Sequence, residues 1–313
     1  DGAELTISTG DSPEVQVNTY TDSDQYHSSI AGLKDGGYVV TWESYNQDDP
    51  SDYGIFAQRY GASGSAIGDE FQVNTYAPGN QHQPEVTGLE NGGFFITWYD
   101  TSGSSGSRGG SGDDVFGQLY DASGSAVGGE ILVNGGSTNV VHEEEYPDVT
   151  GLADGGFVVT WRADYQDGDG DNKWNIYGQR YGDDGAVKGD EFLVNTYTSG
   201  SQHEPSVAAH GDGFIVTWRD DSGNSGSRGG SSLDVFGKIF TTKDGSTPVD
   251  TPVTKVDEFL VNTFTTEYQY NPSVAGLTGG DFVVTWQSER QDGDSNDNYN
   301  VYGQRFNADG TPH

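Results

Sequence analysis

The sequence predicts an all-β fold, a five-bladed β-propeller, and three observations carry that prediction. One unit repeats five times along the 313 residues: P-x-V-x-G-L, a Gly-rich turn, F-V-V-T-W, a long loop, Y-G-Q-R-Y, G-x-x-G and E-F-x-V-N-T-Y. Each unit reads as four short strands, and no stretch shows helical periodicity. The fifth copy, running from Pro272 to His313, stops before its E-F-x-V-N segment. That segment stands at the other end of the chain, in residues 14–20. A ring has a use for this displacement, because the N-terminal strand 14–20 can complete the C-terminal blade and leave no open edge. Residues 1–13 are then an extension and 14–313 a single propeller. Its blades fall at about 24–76, 82–134, 145–197, 203–264, and 270–306 plus 14–20.

The third copy shows why each segment is read as a strand. Pro147-Asp148-Val149-Thr150-Gly151-Leu152 leads into the turn Ala153-Asp154-Gly155-Gly156, whose Asp-Gly chemistry suits a tight hairpin. Phe157-Val158-Val159-Thr160-Trp161 is apolar on both faces, as a strand must be when its blade packs between two others. Ile176–Tyr181 and Glu191–Asn195 supply the third and fourth strands. The Trp ending the second strand recurs at Trp42, Trp98, Trp161, Trp218 and Trp286, at spacings of 56, 63, 57 and 68. These Trp residues are expected in the core. The spacing varies because the loops vary, and the long ones leave each blade on one side. One face of the ring is therefore built out, which is where function is expected.

Composition narrows the partners. Fourteen Lys and Arg against 49 Asp and Glu give a formal charge of −35, which excludes nucleic acid and anionic membranes as natural partners and favours cations. There is no Cys and no Met, not even at position 1, so the chain reads as a piece of a larger protein. No apolar run approaches membrane-spanning length.

The loops after the second strands alternate in kind. Asp167, Asp169, Asp171 and Asn175 in copy three, and Asp292, Asp294, Asn296 and Asn300 in copy five, share a D-x-D-x-[DN]-x-x-x-N spacing. Oxygen ligands so placed can wrap Ca2+, although the bidentate Glu of an EF-hand is missing and an acidic turn has the same composition. Copies two and four instead carry Gly-Ser-rich loops around Arg108 and Arg228, which suit a carboxylate or sugar hydroxyls, or pin the loop to a neighbouring Asp. Segments entering the first strands bring His27, His82, His142 and His203 to the built-out face. There His82, His203, Trp174 and Tyr299 are candidates to bond or stack on a sugar. No nucleophile elbow, HExxH, P-loop or dinucleotide fingerprint occurs.

The strings Phe157–Trp161, Gln166–Asp169, Tyr177–Tyr181 and Glu191–Thr198 resemble repeats of large secreted bacterial proteins of the RTX, hemolysin-type calcium-binding class, including surface adhesins. The resemblance implies a calcium-dependent, extracellular or cell-surface setting with attachment roles, in a monomeric module. The G-G-x-G-x-D nonapeptides of that class are absent here. The reading is thus a calcium-stabilised module, not an enzyme, that binds carbohydrate or a cell-surface glycan. The alternatives are a polysaccharide lyase or glycosidase, with His142 and Tyr146 as candidates, or a structural spacer without ligand.

Overall fold

The computed structural model describes residues 14–102, 112–135, 143–164, 173–222, 233–245, 247–293 and 298–313. The described residues form nineteen antiparallel strands and no α-helix, arranged as a five-bladed β-propeller. Blade 1 is β1 (Gln25–Gly32), β2 (Tyr38–Tyr45), β3 (Tyr53–Tyr60) and β4 (Ala66–Gln72). Blade 2 is β5 (Gln81–Gly88), β6 (Phe94–Asp100), β7 (Asp114–Tyr120) and β8 (Ala126–Leu132). Blade 3 is β9 (Glu144–Gly151), β10 (Phe157–Asp164), β11 (Trp174–Tyr181) and β12 (Val187–Leu193). Blade 4 is β13 (Gln202–His210), β14 (Gly213–Asp220), β15 (Asp234–Asp244) and β16 (Thr247–Leu260). Blade 5 holds β17 (Gln269–Gly276), β18 (Phe282–Glu289) and β19 (Tyr299–Phe306). Within each blade the strands follow in chain order. The fourth strand of copy three starts earlier than its motif suggests, at Val187, and Val194-Asn195 lies just beyond it.

The blades stack through apolar clusters that straddle neighbours. Phe95 of blade 2 packs against Phe157 of blade 3 at 4.2 Å between ring centroids, and Phe214 against Phe240 at 5.0 Å inside blade 4. Trp98, Trp161 and Trp218 are fully buried, and Trp42 and Trp286 nearly so, as expected of core residues. Four clusters serve the four interfaces from blade 1 to blade 5. The first strands surround a central channel of about 800 Å³. Glycine sets the spacing there: a Cβ on Gly88 would lie 2.3 Å from the Gly32 carbonyl oxygen, and one on Gly151 2.6 Å from that of Gly88.

The seam between blades 5 and 1 differs from the sequence expectation. Residues 14–20 join no sheet, and blade 5 has three strands among the described residues. The segment is held by blade 1 instead. Thr19 N–H donates to Glu70 Oε2 at 2.6 Å, the contact that Thr75 makes to Glu130 and Thr196 to Glu258. It thus sits where the fourth strand of a preceding blade sits against its successor. What is missing is the pairing with β19. In the complete blades the Asn of V-N accepts a buried N–H from the third strand, as Asn74 does from Ile55 at 2.8 Å. The corresponding Val301 is 77% exposed, and Ile30 on the facing blade is 65% exposed.

Candidate functional site

Four positions in each repeat change from blade to blade while the scaffold around them stays nearly constant. The first follows the buried Trp of the second strand: Glu43, Tyr99, Arg162, Arg219 and Gln287. Two more are adjacent in the first strand: Tyr26-His27, His82-Gln83, Glu145-Tyr146, His203-Glu204 and Tyr270-Asn271. The fourth opens the third strand: Tyr53, Asp113, Trp174, Leu233 and Tyr299.

The backbone explains why these side chains converge. His27, Gln83, Tyr146, Glu204 and Asn271 all have positive φ, between 47° and 55°, the left-handed region that L residues avoid. In all five blades the strand pairing slips at this point, a β-bulge that re-aims the side chain toward the channel mouth. A non-Gly residue held so costs about 1–3 kcal/mol, and a fivefold repetition ties the strain to the use of this rim.

Each boundary between neighbouring blades carries its own chemistry. Between blades 1 and 2, the buried Glu43 takes hydrogen bonds from His27 Nδ1 at 2.7 Å and His82 Nδ1 at 3.2 Å. Burial raises the Glu43 pKa, but the bonds from His82 and the Gln83 N–H, with the charges of His82 and His27, outweigh it. The carboxyl is held below its ordinary value. The contact between His82 Nδ1 and Glu43 leaves Nε2 as the ring nitrogen turned away from that carboxylate. The His82 ring lies 5.1 Å from Tyr53 and 5.3 Å from Tyr99.

Between blades 2 and 3, Asp113 stands beside Glu145. Burial first, then the charges of Glu145 and Glu143, push its pKa up to about 7. Burial likewise keeps the Tyr99 hydroxyl protonated, and its ring lies 6.3 Å from Tyr146. Between blades 3 and 4, the Arg162 guanidinium sits 4.2 Å from the ring centroids of both Tyr146 and Trp174. It donates to Glu145 and, at 3.0 Å, to His203 Nδ1. Burial, then Arg219 and Arg162, drop the His203 pKa to about 3, so the imidazole is neutral and accepts. Between blades 4 and 5, Arg219 pairs with Glu204 at 2.9 Å and lies 5.2 Å over Tyr270, which meets Tyr299 edge-on at 5.7 Å.

The candidates read from sequence divide accordingly. His82, His203 and Trp174 belong to this rim, and Tyr299, half exposed, borders it through Tyr270. Tyr146 is on it as well, whereas His142, Arg108 and Arg228 lie outside the described residues. So do Asp167, Asp169, Asp171, Asp294 and Asn296. Asn175 is fully buried and its Oδ1 accepts from Asn195 Nδ2 at 2.7 Å, as Asp114 accepts from Asn134 and Asp234 from Asn262. That makes it part of a bond repeated in the scaffold. Asn300 Nδ2 donates to Asp292 Oδ2 at 2.9 Å. Among the described residues no group of three or more His, Asp or Glu is arranged to hold a metal. Glu43, Tyr99, Asp113, Arg162 and Arg219 escape a reading by motif. Their signal was variation at fixed positions beside the repeated Trp and the Pro that four of the five copies carry.

No family model matches the chain, and neither does any curated protein. Solved structures do. An ulvan lyase, a polysaccharide lyase bound to its GlcA–Rha3S repeat, overlays with a TM-score of 0.54 at 14% identity, over 88% of this chain and 68% of that one. The Penicillium chrysogenum α-L-arabinanase with arabinobiose gives 0.52 at 14%, over 90% and 82%. A Hadza microbial sialidase gives 0.52 at 12%, over 89% of this chain and 58% of its own. At these identities the likeness is one of fold. The fold is therefore a propeller of the kind that carbohydrate-active proteins use. The expectation of a module without catalysis is corrected by the same comparison, since these three overlaid propellers are enzymes. The rim adds its own argument, with carboxyl, imidazole and guanidinium groups gathered at one mouth.

Proposed function

We propose that the chain is a polysaccharide-cleaving enzyme whose site is the channel rim across blades 1 to 3. One observation carries the reading. Two carboxyl groups near the same imidazole are driven in opposite directions, Glu43 toward the ionised form and Asp113 toward the protonated form at neutral pH. Pairs of titratable groups pushed apart in this way mark acid and base assignments. His82, oriented through Nδ1 by Glu43, is the base that removes a sugar proton or activates water. Asp113 is the acid that protonates the departing glycosidic oxygen, with Tyr99 and Tyr146 as a platform for the ring between them. The rim is extracellular in this reading, in line with the resemblance to secreted repeats, and Ca2+ serves as a stabiliser of the outer loops.

Elimination and hydrolysis share this machinery and differ in product. Depolymerisation assays on a panel of polysaccharides, read by reducing ends and by ultraviolet absorbance of unsaturated ends, separate the two. His82→Ala and Asp113→Asn are each expected to lower turnover by roughly 10²- to 10⁴-fold while the fold stays intact. Cleavage undiminished in both variants would overturn the assignment.

A further inference from the structure

The clefts beyond the acid–base groups have a distinct chemistry. In a chain of charge −35, two consecutive blades place a guanidinium at the same rim position, where blades 1 and 2 have Glu43 and Tyr99. Both guanidiniums are partly reachable, with side chains 17% exposed. Arg162 is clamped between two aromatic rings, its Nε and Nη2 donate to Glu145 and its Nη1 to His203, and each Nη carries a second N–H to give. Arg219 spends one N–H on Glu204 and rests on Tyr270, and five N–H donors leave it with more than that bond to give. His203 lies between the two arginines as a neutral imidazole that accepts from Arg162, so the local cations are the two guanidiniums. Two cations here stand among Glu145, Glu204 and the neighbouring Glu143 and Asp113, a higher share of positive charge than the whole chain has.

We propose that Arg162 and Arg219 are successive anion-binding subsites and that the substrate is an acidic polysaccharide. Its carboxylate or sulfate groups would be read by planar guanidinium forks while the sugar faces rest on Trp174 and Tyr270. The inference rests on the cleavage reading of the same rim and adds the charge of the substrate to it. Carboxylate and sulfate both offer anionic oxygens to a guanidinium, so the test carries both.

The experiment uses the whole chain with four probes: a polyuronate, the same polymer with its carboxyls reduced, a sulfated polysaccharide and its desulfated partner. The expected result is binding and turnover on a charged polymer, weakened by salt, and loss of both on its neutral counterpart. Arg219→Gln should raise KM by roughly 10- to 100-fold with kcat little changed, the range lost with one charge-assisted hydrogen bond. Arg219→Lys should recover only part, because a point charge lacks the fork. Glu204→Gln is the control for folding: it breaks the same ion pair but keeps the cation, so binding should hold or tighten. Equal binding of charged and neutral polymers, or equal loss in Arg219→Gln and Glu204→Gln, would overturn the inference. Arg219-dependent binding of an acidic polymer that is never cut would instead sustain it and remove the cleavage reading.

Discussion

Single side chains on this rim owe their behaviour to what lies within a few ångströms. Asp113 and Glu43 are both carboxylic acids in the same neighbourhood. One is surrounded by other acids and the other by imidazoles and an N–H. Since Asp113 must be protonated to act, turnover should fall as pH rises through about 7, and a pH–rate profile would show this limb. Asp113→Asn should abolish the limb together with most of the rate. The V-N asparagines give a second residue-scale contrast. Asn195 supplies an acceptor to the buried Ile176 N–H and donates to Asn175, Gln202 and the Tyr197 carbonyl. Asn195→Ala should cost about 1–3 kcal/mol for each buried group it orphans, with or without added calcium. Asn18 bonds only the Tyr20 carbonyl in the described contacts, so Asn18→Ala should stay within about 0.5 kcal/mol. Chemical denaturation of the two variants, side by side, checks the contrast.

At the scale of strands, one motif yields unequal elements. β10 and β14 run almost wholly buried because a blade lies on each side, whereas β19 alternates through exposed positions. An edge strand with free N–H and C=O groups tolerates charge that a central strand cannot. Val301→Asp should therefore leave the melting temperature nearly unchanged. Val284→Asp, inside the cluster between blades 4 and 5, should cost on the order of 3–5 kcal/mol as an unpaired buried charge. A large loss from Val301→Asp would mean that β19 meets a partner strand in solution.

The whole ring adds a pH dependence that no single blade contains. Glu85 of blade 2 and Asp148 of blade 3 face the same channel. Burial raises both, and the charge of Asp148 raises Glu85 further. A carboxyl whose folded pKa exceeds its unfolded value contributes stability at low pH that is lost as pH rises from about 4 upward. Thermal melting should thus decline across the acidic-to-neutral range. Glu85→Gln should flatten that decline, and an unchanged slope in the variant would show that the channel pair does not titrate. Ser29 Oγ donates to Glu85 Oε2 at 2.7 Å, and the Val207 N–H donates to Asp148 Oδ2 at 2.7 Å. Each of these bonds links a neighbouring blade to the pair.

What could be read from the chain alone followed from repetition. Five copies of an apolar strand ending in Trp define a stack of blades, because a strand apolar on both faces is stable only between two neighbours. The elaborated face was legible for the same reason, since loop length is written directly in the residue count. His82, His203 and Tyr146 could be placed on that face from their position at the start of a first strand, and Trp174 from its place at the end of a long loop.

Only the tertiary structure brought Glu43, Asp113 and Arg162 to them. The contacts of Glu43 to His82, and of Arg162 to Glu145 and His203, span 17 to 41 positions of the chain, and a position that changes from copy to copy stands outside the repeated motif. The sequence likewise named residues 14–20 as a fourth strand. The structure seats that segment against Glu70 of blade 1, the contact a fourth strand makes to the next blade, but leaves it without the hydrogen-bonded pairing to β19, because pairing depends on the approach of two backbones and not on the motif alone.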